Sequence, residues 1–219
     1  MDTKKAPAVW DLPTRIFHWL IAGLFFFSWW CAETSHMDWH YLSGLTVLAL
    51  LVFRLIWGFI GGSTARFANF IRGPKAVIAY LRGTSPEAAG HSPLGGYAVL
   101  ALIGLLLAQV SAGLFAVDTD GLESGPLSHF VSFDSGRSAA GIHGLIFNLL
   151  LAMVAIHLLA IAFYRFARKR HLIKPMITGS DPELAADAPS LVKAAAWRLI
   201  IAVIIAGGIA IWVAKGAPL

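Results

Sequence analysis

Four histidines lie in or beside apolar stretches of this 219-residue chain. They are His18, His40, His143 and His157. An imidazole ring in apolar surroundings needs a polar partner or a metal, so each of these histidines is a candidate functional residue. A neutral ring nitrogen is a common ligand for iron, zinc and copper. The chemistry that these residues predict is coordination of a metal or of a metal-containing cofactor.

The surrounding stretches determine where these histidines lie. The chain is 58% apolar and only 13% charged, whereas about 25% of the residues in an average soluble domain are charged. One stretch begins within RIFHWLIAGLFFFSWW and ends near Cys31, and the others cover residues 41–60, 94–117, 142–164 and 194–214. Each is long enough to cross a bilayer as a helix, and none alternates with the period of a membrane strand. The sequence predicts an all-α membrane protein with four core transmembrane helices and a fifth, C-terminal one.

The basic residues indicate how these helices are oriented. The connection at residues 32–39 has no Lys or Arg, and the connection at residues 118–140 has Arg137 alone. Most of the other basic residues flank the opposite ends of the spans: Lys4, Lys5, Arg15, Arg66, Arg72, Lys75, Arg82, Arg165, Arg168, Lys169, Arg170, Lys174 and Lys193. The positive-inside rule then places the N-terminus in the cytoplasm and the C-terminus in the periplasm. Topology explains the basic excess, so we expect membrane lipid and no nucleic acid as a partner.

This orientation pairs the histidines by depth. His143 and His157 are fourteen residues apart on one helix, which places them within roughly 40° of the same face and about 21 Å apart along the axis. His40 begins its span at the outer side, level with His143. His18 lies near the inner side, level with His157. The sequence therefore predicts two bis-histidine pairs at two depths of the membrane.

Two b-type haems fit these pairs, because a haem supplies four nitrogens and needs two axial ligands. Zinc or copper fits less well, since two imidazoles at each depth leave a tetrahedral site incomplete. The alternative is a haem-free transporter or membrane anchor, in which the histidines are polar contacts between helices or proton carriers. The chain has no C-x-x-C-H motif, so any haem would be bound without a covalent link.

Smaller and charged residues support the haem hypothesis. Gly44 and Gly58 predict two gaps in the surface of the second helix where a flat macrocycle could approach the backbone, although helix packing also explains such glycines. Arg15 and Arg54 lie near the inner pair and Arg137 near the outer pair, so these arginines are candidate partners for haem propionates. Snorkelling to the membrane surface is the alternative for the inner two.

Several motifs together resemble a known family. They are V-W-D-L-P-T-R-I-F-H-W at the start, H-x-x-x-G and R-x-x-W-G in the second stretch, R-F-x-x-F-I-R-G-P and H-S-P-L-G-G in the next connection, and K-P-M-I-T-G after the fourth stretch. In residues 9 to about 179 the chain is similar to the bacterial cytochrome b561 family, which includes the cytochrome b subunits of nickel-iron hydrogenases. We accordingly expect a di-haem domain at residues 1–179 and a linker with an extra helix at residues 180–219.

The resemblance implies a four-helix core that holds two b haems through His18, His40, His143 and His157. It also implies electron exchange between the quinone pool and a partner redox protein. Bis-histidine ligation favours electron transfer over oxygen binding. The leading hypothesis is thus an inner-membrane electron-transfer protein, with a cytochrome c or a dehydrogenase or hydrogenase subunit as its periplasmic partner. The alternative is a stand-alone oxidoreductase that passes electrons between quinone and a small molecule such as superoxide.

Two further predictions concern the partners of this electron transfer. The outer connection contains four acidic residues, which form a candidate docking site for a basic cytochrome c. These residues are Asp118, Asp120, Glu123 and Asp134. A charged, solvated loop is the alternative interpretation of that connection. A quinone needs an apolar slot with a few hydrogen-bond donors, and the inner connection at residues 66–75 is the candidate region.

Overall fold

The computed structural model describes residues 6–84, 90–185 and 190–218, and within these residues the chain is mostly helical and has no strand. The all-α prediction is therefore confirmed. Lys4 and Lys5, which contributed to the predicted orientation, lie outside the described residues.

In chain order the elements are α1 (Leu12–Glu33), α2 (Met37–Ile60), α3 (Phe67–Phe70), α4 (Pro74–Leu81), α5 (Pro93–Phe115), a 3-10 turn (Ser128–Phe130), α6 (Phe133–Phe166), α7 (Ile173–Thr178) and α8 (Ala196–Ala214).

Among the described residues, five helices are long and apolar enough to cross a membrane: α1, α2, α5, α6 and α8. They coincide with the five predicted stretches. The largest difference is at α6, which begins at Phe133 rather than at residue 142. Its first turns are polar, so hydropathy does not mark them. They are held instead by a hydrogen bond from the N–H of Val117 to the carbonyl of the buried Gly136, at 3.1 Å, and by the hydroxyl of Ser132, which accepts from the N–H of Ser135 at 3.3 Å.

The chain divides into two compact units. The first comprises the described residues of Met1–Phe17, Leu55–Ala101 and Ala155–Ile200, and the second comprises those of His18–Arg54, Leu102–Val154 and Ile201–Leu219. The first unit contains the short helices α3, α4 and α7, and the second contains the 3-10 turn. Many large apolar side chains of the long helices are exposed, as expected for helices whose outer surface contacts lipid.

Within the first unit, backbone hydrogen bonds join segments that are far apart in the sequence. The N–H groups of Val9 and Trp10 donate to the carbonyl of Gly179 at 2.8 and 3.1 Å, and the N–H of Leu191 donates to the carbonyl of Ala8 at 2.7 Å. Gly179 has φ +87° and ends α7 in the left-handed conformation, which glycine adopts at little cost. The connected segments are residues 7–11, 178–181 and 191–192, and we call them the terminal clamp.

Asp11 fixes the start of α1 in this clamp. Its side chain is buried, with Oδ1 accepting from the N–H of Thr14 at 2.9 Å and Oδ2 accepting from Nε1–H of Trp57 at 3.0 Å. An aspartate at this position caps a helix N-terminus by satisfying an otherwise unpaired N–H group. Gly62 leaves room for the carboxylate, since a β-carbon there would lie 2.6 Å from Oδ2. One buried carboxylate therefore links the beginning of α1 to the end of α2.

Candidate haem site

The structure brings His40 and His143 together within the second unit. His40 lies in the first turns of α2 and His143 lies in α6. The ring centroids are 6.0 Å apart and the ring planes are inclined at 77°. A metal bonded to one nitrogen of each of two imidazoles, at about 2 Å, sets the two centroids roughly 6 Å apart. The pair therefore has the separation that two axial ligands of one iron require.

Both rings are oriented by carbonyl groups of neighbouring helices. Nδ1 of His143 lies 2.9 Å from the carbonyl oxygen of Gln109 in α5. Nδ1 of His40 lies 2.9 Å from the carbonyl oxygen of Ser28 in α1 and 3.2 Å from its hydroxyl. A carbonyl oxygen can only accept, so each Nδ1 carries the proton and each Nε2 keeps a lone pair for a metal. Such outer contacts fix the tautomer and the direction of metal-binding histidines.

A glycine makes room for one of these rings. A β-carbon on Gly113 of α5 would lie 2.9 Å from Cε1 and 3.0 Å from Nδ1 of His143, closer than side chains normally pack. Sequence reasoning missed Gly113, although a glycine one turn after the polar Gln109 in an apolar span was an available signal. It also missed Ser28 and Gln109. These two residues orient the rings through main-chain carbonyls, which residue type does not reveal.

The two glycines that predicted gaps in α2 differ in the structure. Among the described residues, no atom outside the backbone of α2 lies within 4 Å of a β-carbon placed on Gly44, so there is open space one turn after His40, as a flat macrocycle would need. The ring of Phe67 fills the space beside Gly58. The predicted gap at Gly58 is therefore wrong. That glycine allows the connection after α2 to pack against the helix.

The three candidate arginines have different surroundings. Arg137 is half-buried, and its Nη1–H donates to the carbonyl of Val117 at 3.1 Å. Arg54 is buried in α2, with 2% of its surface exposed. The guanidinium of Arg15 donates to the carbonyl of Ile177 near the end of α7. No observation tests the predicted contact of these arginines with haem propionates, so it stays a prediction.

His18 and His157 are both half-buried on long helices. His18 lies in the part of α1 that belongs to the second unit, with the Trp19 ring at 5.0 Å. His157 lies in the part of α6 that belongs to the first unit. On α6 the ligand candidates His143 and His157 are fourteen residues apart, which is about 21 Å along a helix axis. The pairing of His18 with His157 stays a prediction.

Helices that cross a membrane and an oriented bis-histidine pair define the class of membrane-embedded cytochromes. The family model described as prokaryotic cytochrome b561 matches residues 9–179, and the chain belongs to this family. No curated protein matches the chain. No solved structure matches it. The family confirms the resemblance seen in the motifs and makes the chain a multi-pass membrane b-type cytochrome that binds haem b and takes part in electron transport.

Proposed function

We propose that this chain is an inner-membrane cytochrome with two b haems, which carries electrons between the quinone pool and a periplasmic redox partner. The observation that supports this proposal best is the His40–His143 pair, with ring centroids 6.0 Å apart. A bound haem supplies a reversible one-electron iron couple. His40 and His143 would hold the haem, and ligation by two imidazoles would favour electron transfer over oxygen binding.

The chain's own residues hold each imidazole in place. The carbonyls of Ser28 and Gln109 accept from Nδ1–H, and these hydrogen bonds would hold both rings in one direction with a haem bound. A fixed ligand geometry keeps structural rearrangement small during electron transfer, and hydrogen bonds to the ligands tune the potential.

His18 and His157 are the proposed ligands of the second haem. The support is the position of His157 on the same helix as His143, about 21 Å further along the axis. Arg54 follows His40 by fourteen residues on α2 and is 2% exposed, which suits an arginine that binds a haem propionate. Arg15 is a second candidate for the same haem and Arg137 is the candidate for the haem at His40. The proposed di-haem domain covers residues 1–179, and the linker and extra helix cover residues 180–219.

The proposed orientation places the N-terminus in the cytoplasm and the C-terminus in the periplasm. The haem at His40 and His143 then faces the periplasm, close to the acidic connection before α6. Asp120 and Glu123 are exposed in this connection, which supports docking of a basic partner such as a cytochrome c. The proposed quinone site is near residues 66–75, close to the cytoplasmic haem.

The number of haems tests the first half of the proposal. We expect about two haems per purified chain by reduced-minus-oxidised absorbance, and we expect His143→Ala and His157→Ala each to remove one. Asn148→Ala, an exposed position on α6 between the two histidines, serves as the control and should keep both. A chain with one haem would reject the second site, and a His143→Ala variant with unchanged absorbance would reject the first.

Electron transfer across a membrane tests the second half. In vesicles that contain the protein and a quinol, we expect the wild-type chain to reduce cytochrome c added outside. The His157→Ala variant should keep the haem at His40 and His143 but should stop this transfer. Equal rates of cytochrome c reduction with the variant would show that electrons do not pass through a second haem.

A further inference from the structure

A cavity of about 310 Å³ lies at the end of α6, beside α7, within the first unit. Its lining combines apolar side chains with basic ones. The part of the chain that the structure describes contributes no carboxylate to it. The apolar members are Ile161, Leu172, Ile173 and Ile177, and the basic members are Arg165, His171 and Lys174.

Two of these basic side chains have charge available for a ligand. The ring of His171 faces Glu183, with Nδ1 2.5 Å from Oε1. Arg165 and Lys174 are exposed, and neither makes an ion pair with any carboxylate of residues 6–84, 90–185 and 190–218. Two cations that lie beside one cavity and make no ion pair with a described carboxylate favour an anionic ligand.

The apolar side of the cavity indicates that the ligand also has a hydrocarbon part. Leu172, Ile173 and Ile177 leave 40%, 51% and 59% of their surfaces exposed. These residues follow directly after a membrane-spanning helix, where lipid headgroups meet the protein. Basic pockets at the ends of transmembrane helices bind anionic lipid headgroups. A free phosphate ion would leave the apolar side uncovered, and a neutral quinone would gain little from the two cations.

We propose that this cavity binds an anionic phospholipid. Arg165 and Lys174 contact the phosphate of the headgroup, and the beginning of an acyl chain covers Ile173 and Ile177. The lipid would thereby hold α7 against the end of α6. This site is independent of the electron-transfer proposal, since it involves none of the proposed haem ligands.

Native mass spectrometry of the haem-loaded protein in detergent tests this site, with phosphatidylglycerol and phosphatidylcholine as the two probes. We expect the protein to retain phosphatidylglycerol more tightly than phosphatidylcholine. The double variant Arg165→Gln with Lys174→Gln should weaken its binding about 25-fold, at about fivefold per cation near a membrane surface. The charge-preserving double variant Arg165→Lys with Lys174→Arg should retain most of the binding. Arg82→Gln with Lys193→Gln removes two exposed cations outside the cavity and should change nothing.

Competition separates the lipid from other ligands. Inorganic phosphate should displace phosphatidylglycerol only at large excess, because it cannot cover the apolar side. Three results would overturn the assignment: equal binding of the two lipids, unchanged binding by the glutamine double variant, or displacement of the lipid by equimolar phosphate or by a short-chain quinone. Unchanged haem absorbance of each variant shows that it is folded.

Discussion

In the second unit the imidazoles of His40 and His143 are oriented mainly by main-chain carbonyls, whereas in the first unit the start of α1 is held by the side chain of Asp11. Carbonyl groups of a helix are present whatever the residue type. The histidine pair should therefore tolerate most substitutions at Ser28 and Gln109 and be sensitive only where added bulk displaces a ring. The start of α1 should be sensitive to loss of a single carboxylate. The haem site and the start of α1 are thus expected to fail through different kinds of substitution.

The largest effect is expected for Asp11→Ala. This change removes the buried carboxylate that accepts from the N–H of Thr14 and from Nε1–H of Trp57, which should lower the free energy of unfolding by about 2 to 4 kcal/mol. Thermal unfolding in detergent measures the loss. Asp11→Asn keeps one acceptor oxygen, so its stability should fall between those of the wild type and Asp11→Ala.

Folded Asp11→Ala protein should keep the haem absorbance. An unchanged unfolding temperature would contradict the role of Asp11, and loss of haem from the folded variant would contradict the independence of the two regions.

A smaller and more local effect is expected for Gly113→Ala. The new methyl group would lie 2.9 Å from Cε1 of His143, so the ring or α5 must shift, at a cost of about 1 to 3 kcal/mol. We expect a changed midpoint potential and changed electron paramagnetic resonance of one haem. Gly104→Ala is the matched control, because it lies on the same helix and its β-carbon would meet no described atom within 4 Å outside the backbone of α5. Equal spectra of the two variants would show that Gly113 does not position His143.

The smallest effect concerns Glu183, in the ion-pair cluster after α7. Burial by itself raises the pKa of Glu183. Hydrogen bonds from the side chain and the N–H of His171, together with the charge of Arg170, lower this pKa by more. The pKa of Glu183 is therefore lowered overall. Nδ1 of His171 lies 2.5 Å from Oε1, and Nε of Arg170 lies 3.2 Å from Oε2. A carboxyl group with a lowered pKa in the folded state stabilises that state above its unfolded pKa of about 4.3, and the contribution is lost as the pH falls through the folded pKa.

Glu183→Gln should therefore destabilise the protein by a few tenths to about 1 kcal/mol at pH 7, since the group is partly exposed. The difference between the variant and the wild type should shrink as the pH falls below about 4. Unfolding temperatures at pH 7 and pH 3.5 measure both effects. Asp120→Asn, an exposed change in another connection, should show no such dependence. A stability difference that grows on acidification would contradict a lowered pKa of Glu183 in the folded state.

Hydropathy was enough to predict the five long helices. An apolar segment in lipid must satisfy all its backbone polar groups internally, and a helix does so. The first turns of α6 escaped that criterion, since Asp134 and Arg137 are polar and Gly136 is held by a tertiary hydrogen bond. The short helix α4 was also missed. It begins at Pro74 directly after Gly73, and proline in a first helical turn was an available signal.

The histidine pair was predictable in part. Depth and orientation placed His40 beside His143, and the structure places them together. The tautomers were not predictable, since they depend on carbonyls of Ser28 and Gln109 that any residue would supply. The Gly58 prediction was wrong because a gap in a helix surface can be filled from a distant segment, here by Phe67.

The hydrogen bonds of Val9 and Trp10 to Gly179 also constrain how the protein is made. A ribosome adds about 5 to 20 residues per second. The N–H groups of Val9 and Trp10 therefore cannot bond to the carbonyl of Gly179 until the first four spans have been synthesised. Contacts of such long sequence separation form late. Membrane insertion of α1 to α6 must therefore proceed without the clamp, and closure of the clamp becomes a late step of biogenesis that a truncation before Gly179 would prevent.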